Sequence, residues 1–470
     1  MEDVPAETEV AVVGAGPGGY VAAIRAAQLG LDATLIERGE PGGTCLNRGC
    51  IPSKALLSAT GVADRAASAT EMGVHADPEV DVAAMTEWKD GVVARLTRGV
   101  EKLCKGNGVT LVEGEATFVD ETTLSVSDPG GDGSATMRAA HTVVATGSRP
   151  VELPGFGFDR DRVLDAAGAM ALDAAPERIV VVGGGYVGME LSTVFARLGT
   201  EVTVLEMLDG ILPRFDDDLV RPVRDRATDA GVEIHTGVRA DGLDDDGDQA
   251  VVRATGADGE VTVPADRVLV AVGREPVTDT LGLDAVGLDP DEDGFLPTDD
   301  RCRTPVESIY AVGDVAGEPM LAHAASHEGE VAAAAIAGEG PSLAGRAVPA
   351  AVFTDPEIAT VGLTPGEADD AGLDVAVGEF PLRASGRALA AGDATGFVRV
   401  VAEAEAGRVV GGQVVGPDAA ELVAELALAV ELDATVADVA DTVHTHPTLG
   451  EAVMEAAKNA ADRAIHTLNR

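Results

Sequence analysis

Two stretches of the chain share one order of apolar and polar positions. In the first, residues 8–13 end in an apolar run that is typical of a buried parallel strand, and a glycine-rich turn follows. Tyr20–Leu29 then predicts a helix, which Gly30 would end. Residues 32–36 predict a second strand, directly before Glu37. The pattern indicates a β-α-β unit.

The same order recurs in the middle of the chain. Ile179–Val182 predicts a strand, Met189–Leu198 a helix, and Glu201–Leu205 a second strand, which ends directly before Glu206. In both units the terminal acid follows the first glycine of the turn by 23 positions. We therefore interpret the two units as an internal duplication.

Each turn has the spacing G-x-G-x-x-G. This spacing alone is weak evidence for a dinucleotide site. It becomes specific when the turn follows a strand, begins a helix and is followed by an acid at the end of the next strand. The first glycine makes the tight turn, the second lets the backbone approach a pyrophosphate, and the third lets helix and strand pack closely. We expect two dinucleotide sites, in which Glu37 and Glu206 accept hydrogen bonds from an adenosine ribose. Two ordinary glycine turns are the alternative. The glycines are Gly14, Gly16 and Gly19 in the first unit, and Gly183, Gly185 and Gly188 in the second.

Two further segments read as a strand followed by a turn. Residues 141–148 run into Thr146 and Gly147, and residues 309–315 run into Asp314. We expect both strands to belong to the first domain. An aspartate just past a strand end either binds a ribityl hydroxyl of a flavin or caps the next helix.

These segments divide the chain into three predicted domains. Residues 1–150 and 276–349 form a discontinuous first domain, and residues 151–275, whose last strand ends before Gly273, form the second. From about residue 350 the pattern changes to antiparallel strands and helices without a glycine fingerprint, so residues 350–470 predict an α+β domain. The predicted fold class is α/β, with two Rossmann-like domains and this third domain.

The charge of the chain narrows its partners. The 470 residues include 80 acidic and 34 basic ones, for a net charge of −46, and only five are lysine. Such a chain repels nucleic acid and anionic lipid. It has no basic stretch of a signal peptide and no long apolar span, so we expect a cytoplasmic protein outside the membrane. Strong acidity with few lysines resembles proteins adapted to very high salt.

The spacing of the cysteines suggests redox chemistry. Cys45 and Cys50 are separated by four residues just after the first nucleotide unit, whereas Cys104 and Cys302 stand alone. A structural disulfide is the alternative, but a cytosolic dithiol pair favours a catalytic role. Zinc needs about four ligands, and no second pair has suitable spacing.

One acidic segment partly matches the sequence pattern of a calcium-binding loop. Asp289, Asp291 and Asp293 precede Gly294 with the spacing of an EF-hand, but position twelve is Asp300 rather than glutamate. We interpret the segment as an ordinary acidic hairpin and predict no metal site.

Together these motifs resemble the pyridine nucleotide–disulfide oxidoreductases over nearly the whole chain. The resemblance rests on both fingerprints, the run from Gly43 to Lys54 around the cysteines, the Thr146-Gly147 and Gly313-Asp314 segments, and residues 444–451. It implies FAD at the first fingerprint, NAD at the second, and a C-terminal domain that forms a homodimer. Ala322 lies in a segment that resembles the one facing the flavin.

The resemblance also implies roles for the cysteines and their neighbours. Cys45 would exchange with the substrate, and Cys50 would contact the flavin ring. Lys54 resembles the lysine beside the flavin, and Glu190, within the second unit, resembles its acidic partner. Pro52 suggests a helix start nearby, which would lower the pKa of the Cys50 thiol.

Two residues near the C-terminus resemble the catalytic base and its support. By the resemblance, His446 would take a proton from the substrate dithiol, and Glu451 would orient its imidazole. His444 would be structural. Without the family context, a lone histidine and a first-turn helix acid would be read as inert.

The activity implied by the resemblance is NAD-dependent oxidation of dihydrolipoamide carried by a lipoyl domain of a 2-oxoacid dehydrogenase or glycine-cleavage complex. Two alternatives remain. One is a reductase of another disulfide or of mercuric ion, such as a glutathione- or mycothiol-type enzyme. The other is a non-catalytic flavoprotein scaffold, which the intact cysteine pair argues against.

Overall fold

The computed structural model describes residues 4–130, 133–245, 247, 250–257, 259–340, 342–345 and 347–469. Residues 1–3 and 470, which the predicted domain limits include, lie outside the described residues. Within this described part, no helix is both long and apolar enough to cross a bilayer.

The first unit is a mixed sheet with helices packed on it. The strand order is β3-β2-β1-β6-β5-β4, with parallel pairing of β1 to β2 and β6 and antiparallel pairing through β5 and β4. The elements are β1 (Glu7–Val13), α1 (Pro17–Gln28), β2 (Ala33–Glu37), α2 (Gly43–Arg48), α3 (Cys50–Ser68), α4 (Val82–Gly106), β3 (Thr110–Glu113), β4 (Glu115–Asp120), β5 (Thr123–Ser127), β6 (Ser134–Val144) and β7 (Ser148–Pro150).

The second unit repeats the parallel part of the first. Its sheet has the order β11-β10-β9-β15-β8, and β12, β13 and β14 form a separate antiparallel sheet. The elements are β8 (Val163–Leu164), α5 (Ala166–Met170), β9 (Arg178–Val182), α6 (Tyr186–Arg197), β10 (Glu201–Leu205), α7 (Asp217–Asp229), β11 (Glu233–His235), β12 (Arg239–Asp245), β13 (Ala250–Gly256), β14 (Gly259–Pro264), β15 (Arg267–Val270) and β16 (Arg274–Pro276).

The chain then returns to the first sheet. Strand β17 (Ile309–Ala311) pairs in parallel with β6, and α8 (Ala322–Ile336) packs on α1. The two connections between the units run side by side, because β16 pairs antiparallel with β7. A Cβ on Gly329 would lie 2.4 Å from the carbonyl oxygen of Gly18, so glycine lets the two helices touch.

The last part of the chain is an antiparallel sheet covered by helices. Its strand order is β18-β19-β22-β21-β20, as the antiparallel prediction required. The elements are β18 (Ala350–Val352), β19 (Glu357–Gly362), α9 (Pro365–Asp370), β20 (Val375–Pro381), α10 (Gly386–Ala391), β21 (Phe397–Glu403), β22 (Val409–Gly416), α11 (Ala419–Glu431), α12 (Val436–Asp441) and α13 (Glu451–Ala460).

The predicted strands and helices of both nucleotide units are confirmed within a few residues. The sequence analysis did not predict α4, the longest helix described at 25 residues. Its signals are present: the Asp81 carboxylate accepts a hydrogen bond from the Ala84 N–H as an N-cap, and Val100 and Cys104 are buried one turn apart.

Candidate active site

The first glycine turn is as tight as its sequence predicts. Gly14 has φ +101°, and a Cβ there would lie 2.4 Å from the Ala145 carbonyl oxygen. A Cβ on Gly19 would lie 1.9 Å from the carbonyl oxygen of Gly14, whereas a Cβ on Gly16 would meet nothing within 4 Å. The outer glycines therefore close the turn, and the middle one leaves open space for a bound group.

The second glycine turn repeats this geometry. Gly183 has φ +108°, and its Cβ would lie 2.5 Å from the carbonyl oxygen of Ala271. A Cβ on Gly188 would lie 2.0 Å from the carbonyl oxygen of Gly183, and one on Gly185 would again meet nothing within 4 Å. Gly273, just beyond β15, also has a positive φ of +144°. The duplication read from the sequence is thus a duplication of backbone shape.

The terminal acids hold their turns in the same way. Glu37 accepts hydrogen bonds from the backbone N–H groups of Ala15 at 2.6 Å and Gly39 at 2.9 Å. Glu206 accepts from Gly184 at 2.6 Å and from the residue two positions after itself at 2.7 Å. Each carboxylate oxygen keeps a free lone pair, so it can also accept from a ribose hydroxyl.

The two thiols lie where two helices meet, with a single residue between the helices. Cys45 lies in α2 and Cys50 is the first residue of α3, with Gly49 between the helices. Both are free thiols, and their sulfur atoms form a hydrogen bond. Cys50 lies at a helix N-terminus, where the backbone favours an anion.

The surroundings of the two thiols shift their pKa values in opposite directions. The hydrogen bond from Cys45 and the charge of Lys54 lower the pKa of Cys50 to about 7, against a partial opposing effect of burial. The pKa of Cys45 is raised, because it donates that hydrogen bond and because it is buried. At neutral pH, about half of Cys50 is therefore thiolate, whereas Cys45 keeps its proton.

Lys54 and Glu190 form an ion pair beside the thiols. The Lys54 ammonium lies 2.8 Å from one Glu190 oxygen and 4.4 Å from the centre of the Phe353 ring. The other Glu190 oxygen accepts the Phe353 N–H at 3.0 Å. Glu190 lies in the helix of the second glycine turn, but its carboxylate is turned to Lys54 and the residue is only 3% exposed.

A second polar cluster lies at the ends of β6 and β17. Asp314 accepts a hydrogen bond from the Ser148 hydroxyl, and Arg274 donates to that hydroxyl at 2.7 Å. The alternative that Asp314 caps the next helix is wrong, because Leu321 is the N-cap residue of α8. The Thr146 hydroxyl donates a hydrogen bond to the carbonyl oxygen of Val277, just after β16, at 2.6 Å.

One cleft connects most of these groups. It runs from Gly16 and Glu37, past Gly147 and Asp314, to the two thiols, and the first residue of α8, Ala322, also lines it. The second glycine turn lies outside this cleft, although the start of α6 reaches it through Tyr186 and Glu190. A cleft lined at once by the first glycine turn and by both thiols suits a dinucleotide whose far end lies against a thiol.

The predicted base lies elsewhere on the chain. His446 Nδ1 lies 2.9 Å from a Glu451 oxygen, and the other oxygen of Glu451 accepts the Thr448 N–H at 2.9 Å. That backbone hydrogen bond, and then His446, lower the pKa of Glu451. The His446 side chain is 79% exposed, and neither it nor Glu451 lines the cleft of Cys45. The predicted pair exists, but not beside the thiols of its own chain.

Comparison with known proteins shows which family the chain belongs to. Residues 8–329 match the family described as pyridine nucleotide-disulphide oxidoreductase, and residues 348–457 match the dimerisation domain of the same family. The chain belongs to this family. The resemblance inferred from the motifs is therefore confirmed, and the dimerisation domain supports a homodimer.

Relatives of this family align over the full chain. A dihydrolipoyl dehydrogenase of Halobacterium salinarum is 61% identical over 470 residues, which cover 100% of this chain and 99% of the relative. Another, of Haloferax volcanii, is 57% identical over 471 residues, with 100% and 99% covered. The crystal structure of LpdA from Mycobacterium tuberculosis superposes with a TM-score of 0.90 at 31% identity, covering 96% of this chain and 99% of that one.

Members of the family are flavin-dependent oxidoreductases that act on a disulfide with a nicotinamide nucleotide, and this chain uses FAD and NAD. Its residues fit two such groups. Each glycine turn leaves open space at its middle glycine, Gly16 or Gly185, and each has an acid with free lone pairs. The first of these turns opens into the cleft that ends at the thiols.

Three residues that the sequence analysis did not single out belong to the site. Ser148 and Arg274 hold Asp314, and Phe353 holds Glu190. Ser148 directly follows Gly147, and Arg274 directly follows Gly273, so their places next to predicted glycines were the available signal. Phe353 gave no such signal.

Proposed function

We propose that the chain is a dihydrolipoyl dehydrogenase, which oxidises dihydrolipoamide and reduces NAD. One observation carries the proposal: a dithiol of unequal acidity lies at the end of the cleft that begins at the first nucleotide turn. Full-length relatives named dihydrolipoyl dehydrogenase, at up to 61% identity, support the choice of dithiol. A non-catalytic scaffold would have no use for a thiol whose acidity is tuned.

We assign FAD to the cleft and NAD to the second turn. FAD would be held by the first turn with Glu37, by Thr146 and Gly147, by Asp314, and by Lys54 and Ala322 near the thiols. NAD would be held by the second turn with Glu206. When bound, FAD takes two electrons from the dithiol and delivers them to NAD as a hydride.

The chain's own residues account for the thiol chemistry. With the pair oxidised, a substrate thiolate attacks the Cys45 sulfur, and Cys50 leaves as a thiolate that Lys54 stabilises. The second substrate thiolate then attacks the substrate sulfur bonded to Cys45, which releases the substrate as a disulfide and Cys45 as a thiolate. Cys45 then takes up one of the two protons that the substrate thiols released. The pair ends reduced, so two electrons have moved from substrate to protein.

His446 is the group that we assign to the proton. It would accept a proton from the substrate thiol, and Glu451 would hold its ring and stabilise the imidazolium. Because His446 is exposed and does not line the cleft of its own chain, we assign it to the active site of the second subunit in the homodimer. Each active site then needs both subunits.

The test measures NADH formation by purified holoenzyme with one dithiol at a time. We expect turnover with dihydrolipoamide and little with glutathione or mycothiol. NAD should serve far better than NADP, because Glu206 accepts from a ribose diol but repels a 2′-phosphate. Turnover that favours glutathione or mycothiol would replace the proposal with the matching disulfide reductase. No turnover with any dithiol would favour the scaffold.

A further inference from the structure

Helix α4 carries a net positive charge, although the chain as a whole is strongly acidic. It contains five basic and three acidic residues, a net charge of +2, whereas the whole chain has −46. Three of the five lysines of the chain are on this one helix. The basic residues are Lys89, Arg95, Arg98, Lys102 and Lys105, and the acidic ones are Glu87, Asp90 and Glu101.

Three basic residues of α4 share one exposed face. Since residues of a helix are about 100° apart, Arg95, Arg98 and Lys102 project within about 60° of one another. All three are exposed, and within the described part of the chain the ion pairs of α4 are formed by Lys89 and Lys105 instead. Trp88 and Leu103 flank them, with 51% and 55% of their surface exposed. We call these five residues the α4 face.

The other side of α4 is attached to the thiol helices. The Thr97 hydroxyl donates a hydrogen bond to the Asn47 side chain at 2.8 Å, and Asn47 lies between the two cysteines in sequence. Val100 and Cys104, on the same side, are buried, and α4 packs along α3. The α4 face is therefore about one helix diameter, roughly 10–12 Å, outside the helix that carries Cys45.

We propose that the α4 face is a docking surface for an acidic protein domain that carries the substrate dithiol on a flexible arm. This inference rests on the proposed function and names its partner surface. A free small dithiol needs no such surface, but a domain that presents its dithiol to Cys45 must rest on the protein nearby. Positive charge next to the thiols, on a chain that is negative elsewhere, selects a negative domain and orients it there.

The mixed composition of the face suits high salt. At about 1 M salt the Debye length is only ~3 Å, so ionic attraction acts at contact and little beyond. Apolar contacts with Trp88 and Leu103 are not screened, because hydrophobic burial does not depend on charge. A face that combines both retains affinity where a purely ionic surface would lose it.

A charge reversal separates docking from catalysis. In holoenzyme with Arg98→Glu and Lys102→Glu, we expect the KM for an acidic recombinant lipoyl domain, with its lipoyl group reduced, to rise about five- to tenfold. The KM for free dihydrolipoamide, and kcat with either substrate, should stay unchanged. Arg98→Gln with Lys102→Gln should raise the KM for the domain by less. The matched control, Arg221→Glu with Arg224→Glu, makes the same charge change on exposed positions of α7 and should leave the KM unchanged.

Three other outcomes of this experiment overturn the inference. Equal KM changes with both substrates would mean that the variant disturbs the thiols themselves. No change with the domain would mean that it docks elsewhere. Dissociation of the variant into monomers, measured by light scattering, would assign the face to a contact between copies.

If wild-type enzyme fails with free dihydrolipoamide, the proposed function fails separately. Anisotropy titration with the lipoyl domain then decides docking: binding weakened by the reversal supports it, and absent binding overturns it.

Discussion

The Lys54 ammonium lies 2.8 Å from the Glu190 carboxylate, and this ion pair joins the helix that begins at Cys50 to the helix of the second glycine turn. The second oxygen of Glu190 accepts the Phe353 N–H, from the start of the antiparallel part of the chain. Three parts of the fold thus meet at one buried carboxylate beside the thiols. The acidity of Cys50 depends on this junction, because Lys54 supplies part of the positive charge.

Replacing Lys54 with methionine should change both stability and thiol acidity. It leaves the buried Glu190 without its countercharge, so we expect a loss of about 2–3 kcal/mol in the free energy of unfolding, less than for a fully buried pair. The pKa of Cys50 should rise. Denaturant unfolding and the pH profile of thiol alkylation measure the two effects. Lys105→Met, at an exposed position, is the control and should change neither; an unaltered alkylation profile in Lys54→Met would contradict the assignment.

Removing either thiol of the pair should abolish turnover of dihydrolipoamide. Cys45→Ser and Cys50→Ser each leave one thiol, so no internal disulfide can carry two electrons. FAD should stay bound, and NADH should still reduce ferricyanide, a one-electron acceptor that needs no disulfide. Absorbance of the flavin and both assays test this. Cys104→Ala, which removes a buried thiol outside the pair, should remain active; substantial lipoamide turnover by either serine variant would refute the dithiol mechanism.

The reduced enzyme should react with iodoacetamide according to the acidity of Cys50. Its pKa of about 7 lies below the ordinary 9.0, so the alkylation rate should rise through about pH 7, with Cys50 modified before Cys45. A lowered pKa also means that the thiolate stabilises the fold: that contribution is complete above about pH 9 and is lost as pH falls through about 7. Peptide mapping identifies the modified thiol. Rates that rise only near pH 9 would count against the prediction.

Mixed subunits should reveal a shared active site. Cys45→Ser and His446→Gln homodimers should both be nearly inactive. A heterodimer of the two has one site with both defects and one with neither, so activity should recover towards half of the wild-type value per dimer. Reversible dissociation, remixing and a lipoamide assay test this, with mass spectrometry to show that heterodimers formed. If they form without recovery, thiol and base belong to the same chain.

Stability should depend strongly on salt. With a net charge of −46, repulsion between acidic groups is strong in dilute buffer and screened at molar salt, where the Debye length is ~3 Å. We expect the melting temperature to rise by several degrees or more between dilute and molar potassium chloride. Glucose at matched viscosity separates screening from general solvent effects. A flat melting temperature would show that the surface charges do not limit stability.

The sequence by itself determined the parts that depend on local geometry. Gly14 and Gly183 are readable because only glycine fits a turn with a positive φ and a carbonyl oxygen 2.4 to 2.5 Å from its Cβ position. The spacing of Cys45 and Cys50 is readable because both lie at adjoining helix ends. The strands of both units followed from their short apolar runs.

Tertiary structure alone decided which distant residues meet. Lys54 and Glu190 are 136 positions apart and Ser148 and Asp314 are 166 apart, and no local pattern encodes such a contact; the first pair was expected only from the family resemblance. It also left His446 and Glu451 outside the cleft that the thiols of their own chain line. Long-range pairs form where packed layers bring strand ends and helix starts together, so their partners are fixed by the fold as a whole and not by neighbouring residues.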